Sequence, residues 1–179
     1  MDFELQPRLQ DDLIRIEPLG PDDFESLYAV ASDPLIWEQH PSSDRYRRDV
    51  FGNFFKGAIE SGGAFRVHER ATGSVIGSSR FYELDPTRSS VAIGYTFLAR
   101  SAWGRGHNLS LKTLMLDHAF RFVDRATFHI GKNNLRSRRA MEKLGGVYVS
   151  EEPVSYYGEP SSANVLYAID KDAWNRRHG

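Results

Sequence analysis

At 179 residues, 40% of them hydrophobic, the chain is long enough to bury one substantial core and too short for two ordinary domains. Its 23 Lys and Arg against 24 Asp and Glu leave a formal charge of -1, so nothing in the balance calls for nucleic acid or an anionic membrane surface, and any phosphate recognition must be local. Cysteine is absent, which excludes disulfides, thiolate catalysis and cysteine-based zinc sites together.

The opening residues, MDFELQPRLQDD, are acidic and polar where a secretion signal is basic and then apolar, and no apolar run approaches the roughly 18 residues of a membrane span. The expectation is a cytoplasmic protein without membrane or nucleic-acid partners. Leu13-Ile14-Arg15-Ile16 alternates like a first strand, and Gly20-Pro21-Asp22-Asp23 supplies turn and helix-start chemistry. Phe24, Leu27, Tyr28 and Ala31 then share a helix face, which Asp33-Pro34 ends. After the polar loop EQHPSSDRY, residues Val50, Phe51, Phe54, Phe55, Ala58 and Ile59 repeat the helical spacing up to Gly62-Gly63. The period changes to alternation in AFRVHE, SVIGSSRFYEL and SSVAIGYTFLA, whose short joints predict three consecutive antiparallel strands.

Next comes SAWGRGHNLSLK, in which Gly104 and Gly106 precede a helix striped by Leu111, Leu114, Met115, Ala119 and Phe122. ATFHI reads as a short strand, NNLRSRRAMEKLGG as a helix with an Asn start and a Gly stop, and GVYVSEEPVSYY and ANVLYAIDKDAW as two closing strands. The pattern is an α+β domain of order βααβββαβαββ, with a mixed, mostly antiparallel sheet of about seven strands and about four helices. One domain spans 1–179, with its core in 12–174.

A glycine turn running into a helix presents unpaired backbone N–H groups at the positive end of the helix dipole, which suits an anion. Arg105, His107 and Lys112 could add charge. The turn lacks the Gly-Lys-Ser/Thr of a triphosphate loop and the later acidic residue of a dinucleotide fold. Taken alone, it fits tight strand-to-helix packing equally well, and Lys112 fits a solvated helix charge.

With IGYTFLARSAWGRG before it and NLRSRRAMEKLGG and LYAIDKDAW after it, the chain from about 12 to 174 resembles the GNAT superfamily of acetyl-CoA-dependent N-acetyltransferases, above all the branch containing the ribosomal-protein N-terminal acetyltransferases. In that family's pyrophosphate signature, aligned on Gly106, Trp103 stands where Gln or Arg is usual and Asn108 where a small residue is usual; the resemblance assigns the turn from Trp103, Gly104, Arg105, Gly106 and His107 to Asn108 to the cofactor pyrophosphate. It further implies that the pantetheine arm enters between VAIGYTFLA and ATFHI, pairs with backbone groups of Phe97, Leu98 and Ala99, and meets Asn134. Acetyl would pass directly from acetyl-CoA, a co-substrate, to an amine, with no covalent enzyme intermediate and no metal.

The Tyr that many members place seven residues after the family Asn is Met141 here, so the resemblance points instead to Ser137 as the acid; a partial helix cap is its other reading. Glu83 is the candidate base, with a surface carboxylate before a turn as the alternative. His68 and His129 read as strand histidines held by packing or hydrogen bonds. Trp37, His40, Arg45 and Tyr46, with the hairpin around Tyr156-Tyr157-Gly158, are the candidate acceptor site, offering aromatic surface and a cation for an acceptor carboxylate. The expected partner is a small-molecule or peptide amine; alternatives are a protein N-terminus and a non-catalytic CoA-binding module. The expected state is a monomer or homodimer.

Overall fold

Asp23 sets the start of the first helix: its carboxylate accepts the Gly20 N–H at 2.7 Å, closing the turn that the Gly-Pro-Asp-Asp run predicts. In the computed structural model, which describes residues 2–155 and 159–178, strands β1 (Leu9–Gln10) and β2 (Ile14–Pro18) precede helices α1 (Phe24–Ala31) and α2 (Arg48–Ser61). Strands β3 (Ala64–Glu69), β4 (Val75–Asp85) and β5 (Ser90–Leu98) follow, then α3 (His107–Ala119), β6 (Arg125–Gly131), α4 (Leu135–Leu144), β7 (Val147–Val154), β8 (Ser162–Asp170) and α5 (Lys171–His178). The strands form one sheet in the order β1-β2-β3-β4-β5-β6-β8-β7.

Two elements exceed the expected seven strands and four helices. β1 is two residues long, bonded to β2 at Leu9↔Ile16, and leaves no periodic trace in sequence. α5 buries one apolar side chain, Trp174, so it lacks a stripe; the segment read as strand to residue 174 turns helical after Asp170. Trp174 anchors that helix by donating its indole N–H to Asp117 Oδ1 at 2.7 Å.

The core lies on both faces of the sheet. On one, Leu111, Met115, Leu116 and Ala119 of α3 meet Ile14, Ile16, Phe65, Phe81, Val91 and Ile93. On the other, Leu27 and Ala31 of α1 and Phe51, Phe54, Phe55 and Ala58 of α2 close over Ala64 and Phe97. Glycines end the helices as their sequence positions predict: Gly62 stops α2 with φ 67°, and Gly145 stops α4 with φ 106°, after which the Gly146 N–H reaches Met141 O at 2.9 Å.

Two departures from regular pairing position the site. β5 runs parallel to β6 for only three residues, Ser90↔Arg125 to Ala92↔Thr127, and then the strands part. At the same place β5 bulges against β4: Ser78 pairs with Phe97 and Arg80 with Gly94, so Ser79 alone faces the pair Tyr95 and Thr96. Tyr95 takes φ 54°, a left-handed conformation that costs a residue with a Cβ about 1 kcal/mol or more. Tyr95 leans onto Phe54 of α2, with ring centroids 6.0 Å apart, while the Thr96 hydroxyl turns to α3 and accepts from Lys112 Nζ at 2.7 Å.

Candidate active site

The glycine turn holds its shape through dihedral angle rather than space. Gly104 and Gly106 have φ 70° and 87°, and an added Cβ would meet nothing within 4 Å at the first and only Leu13 Cδ1, at 3.6 Å, at the second. No side chain caps α3, and its first backbone bond runs from Ser110 N–H to Gly106 O at 3.0 Å. The amides of His107, Asn108 and Leu109 therefore precede the helical ladder and point outward with the dipole behind them.

The three basic side chains of this stretch turn away from that opening. The His107 ring is buried, with Nε2 3.3 Å from Glu69 Oε2. Arg105 donates to Ser101 O at 3.1 Å and lies 3.6 Å from the same carboxylate. Lys112 is buried too, which overturns the reading of a solvated charge, and burial pushes its amine down to about 7. Asn108 is exposed, so it and Lys112 do not share one polar patch. An anion at this turn meets main chain.

The parting of β5 from β6 opens a cleft beside that turn. A Cβ at Gly77 would run into Phe97 O, and Ala99 N–H donates to Ile76 O at 2.7 Å, so both residues direct these groups toward β4. By strand alternation Leu98 directs its N–H and C=O the other way, toward the cleft. Its carbonyl accepts from Trp103 Nε1 at 3.0 Å, which ties the glycine turn to the strand. Arg136 of α4 stacks on the Trp103 ring at 3.9 Å and donates to Ile36 O at 3.3 Å, joining α4, the turn and the loop after α1.

At the start of α4, Asn134 is buried and its side chain accepts the Ser137 N–H at a long 3.4 Å, the capping role expected of it. Ser137 is half-buried in the first helical turn. Met141 is in the core and would collide with any side chain added at Gly146.

The acceptor loop differs from expectation in what its residues do. Trp37 is 2% exposed, and its indole N–H donates to Ala31 O at 2.8 Å while the ring packs on Phe97. It is core, not an aromatic surface. Arg45 is also buried, with its Nε and Nη2 donating to the two oxygens of Glu159 at 2.9 and 2.7 Å, so its charge is matched within the chain. Ser42 donates to the same carboxylate. His40 Nδ1 accepts the Ser42 N–H at 2.9 Å, and burial with Arg45 nearby holds its pKa well below the ordinary value. The exposed Tyr46 ring borders this loop, and its backbone carbonyl accepts from Tyr28. Pro41 sits so close on Gly131 that only glycine fits there. The expected hairpin at Tyr156-Tyr157-Gly158 lies outside the described residues.

Inside the cleft the side chains form a relay that no local spacing reveals. Glu152 Oε1 lies 2.8 Å from His129 Nε2, and His129 Nδ1 lies 3.2 Å from the Tyr82 hydroxyl. With Nε2–H donating to the carboxylate, Nδ1 holds the lone pair and accepts from Tyr82. Tyr82 is seated against bare backbone: an added Cβ at Gly94 would stand 3.1 Å from its hydroxyl. Glu83, by contrast, is exposed, with φ 48°. His68 is hydrogen-bonded as expected, accepting from Arg66 Nε at 3.1 Å. Among the described residues no three His, Cys, Asp or Glu side chains form a metal-binding group, and no helix is long and apolar enough to cross a membrane.

The fold as a whole recurs in known structures. A GCN5-related N-acetyltransferase from Brucella melitensis superposes with a TM-score of 0.80 at 19% identity, over 97% of this chain and 83% of that one. A GNAT-family acetyltransferase from Bacillus anthracis gives 0.73 at 17% identity, over 93% and 99%. A Vibrio cholerae protein assigned as a ribosomal-protein-serine acetyltransferase gives 0.71 at 16% identity, over 91% and 97%. No curated protein matches the sequence. Likeness at these identities carries the fold; membership rests on the sequence itself, since the Acetyltransferase (GNAT) domain matches residues 14–147, from the first core strand through the glycine turn to the start of β7. The chain belongs to the GNAT acetyltransferase family.

Proposed function

We propose that the protein transfers acetyl from acetyl-CoA directly to a primary amine of a small molecule or peptide. The observation that carries this reading is the conjunction of the β5–β6 cleft, with its outward amides at one end, and the Glu152–His129–Tyr82 relay within it. In this reading the amides of His107, Asn108 and Leu109 hold the cofactor pyrophosphate, and Leu98 pairs with the pantetheine arm. The acceptor ammonium loses its proton to the Tyr82 oxygen as the Tyr82 proton moves to His129 Nδ1, with Glu152 holding the opposite edge of the ring. The free amine forms its bond to the acetyl carbon, the carbon–sulfur bond breaks, the nitrogen gives up its second proton to water, and the thiolate takes one from water, directly or through the Ser137 hydroxyl, which water re-protonates. Here His129 takes the role that the sequence suggests for Glu83, because it is enclosed with two partners while Glu83 is exposed near the end of β4.

Thiol release from acetyl-CoA across a panel of amines tests the reading. We expect amine-dependent release, and a fall in kcat of roughly a hundredfold or more in His129→Gln. Tight CoA binding without turnover on any amine would favour a non-catalytic CoA-binding module instead. N-terminal peptide mass spectrometry from cells lacking the protein tests whether the amine is a protein N-terminus.

A further inference from the structure

We infer that the acceptor carries a carboxylate as well as its amine, and that Arg80 binds it. This rests on the acetyltransferase reading and names the substrate class of that same site.

Arg80 lies on β4, on the face shared with Tyr82, and is 6% exposed. Its Nε is buried without a hydrogen-bond partner, and Nη2 only reaches Phe54 O at a marginal 3.5 Å. Among the described residues no carboxylate forms an ion pair with it, whereas the other fully buried arginine, Arg45, is bound on two nitrogens by Glu159. Burial pushes its pKa down to about 10; the phenols of Tyr95 and Tyr82 oppose that shift, and Arg45, a like charge, adds a little to it. A buried guanidinium lacking a counter-ion is costly to a fold, and a chain keeps one most readily where a ligand completes it.

Placement fits this ligand. The guanidinium lies 3.8 Å over the Tyr95 ring and 5.5 Å from Phe54, so its faces are covered by aromatic carbon and its N–H edges are left for a planar anion. Tyr95 also stands 5.0 Å from Tyr82, the end of the proton relay, so one aromatic ring separates the anion site from the place where the ammonium gives up its proton. An amine and a carboxylate joined by a short linker span that distance. With Arg45 and Glu159 cancelling, Arg80 supplies one uncompensated positive charge, which matches a carboxylate better than a phosphate dianion.

The test uses matched amino acids and their carboxamides as acceptors, measuring thiol release, together with calorimetric binding of the N-acetylated acids and N-acetylated amides to the CoA-bound protein. We expect kcat/KM for acids to exceed that for amides by at least about tenfold. Arg80→Gln should raise KM for the acids more than it lowers kcat and erase the preference, and Arg80→Lys should keep part of it. Equal use of acids and amides by the wild-type protein, a preference that survives in Arg80→Gln, or a preference for phosphate-bearing amines would overturn the assignment. If no amine is acetylated, the acetyltransferase reading fails on its own, and the binding measurement still decides: N-acetylated acids binding no tighter than the amides refutes the role of Arg80. Should Arg80→Gln not fold, the acid-to-amide ratios of the wild-type protein and of Arg80→Lys settle the assignment in its place.

Discussion

Lys112 makes the stability of this protein depend on pH in a window where few other groups titrate. Its amine, buried against Thr96 with no carboxylate in ion-pair contact among the described residues, is pushed from the ordinary 10.5 down to about 7. Between those values the unfolded chain holds a proton that the folded chain has released, so stability rises with pH across the window, is complete above it and reaches its floor below it. Each pH unit well inside the window is worth about 1.4 kcal/mol, and the gain from about pH 7 to about pH 9 comes to about 2 kcal/mol. Lys112→Met keeps an unbranched side chain of similar length and removes the amine; it forfeits the bond to Thr96, about 1 kcal/mol that does not vary with pH in this range. Urea unfolding of both proteins at pH 7, 8 and 9 and constant ionic strength should show the stability of the wild-type protein relative to the variant growing by about 2 kcal/mol from the lowest to the highest pH. His40 and His118 have lowered pKa values, lie below the window, and are common to both proteins. Parallel stability curves would refute the buried-amine argument.

Two further outcomes are expected. Gly106→Ala forces a Cβ into φ 87°, which should destabilise the protein by about 1 to 2 kcal/mol in thermal unfolding and weaken CoA binding in calorimetry, since the amides it aims are turned away. Glu159→Gln leaves the Arg45 guanidinium buried without a counter-charge and should cost about 3 kcal/mol or more in chemical denaturation.

Most of the fold is legible in the sequence because its determinants are local. The Phe-rich stripe of α2, the shift to alternation after Gly63 and the Asn134 and Gly145 boundaries of α4 each lie within a few residues of what they specify. The glycine turn is equally local, and so is its implied cofactor. The chemistry proposed for the cleft is different in kind: Tyr82, His129 and Glu152 sit on three strands, brought together by the order β4-β5-β6-β8-β7, which no spacing in the chain encodes. The same holds for Arg45, whose partner Glu159 is 114 residues away. Arg80 lies in the middle of β4, two residues from Tyr82 on the same face, and what its guanidinium touches emerges only once the strands and α2 are assembled.

The bulge at Tyr95 has a consequence for how fold and function can vary separately. Before it, Val91 and Ile93 point to α3; after it, Thr96 and Leu98 do, so the strand changes from odd to even numbering across one residue. Without Tyr95, Ile93, Gly94, Thr96, Phe97 and Leu98 would alternate without interruption, and both halves of the core would keep their side chains. Tyr95 is thus the extra residue of an otherwise regular strand: its ring packs on the edge of the α2 core and joins Arg80 to Tyr82. The face proposed to hold the acceptor thus turns on one added position, while the alternation on either side of it is kept by the residues that fill the two halves of the core.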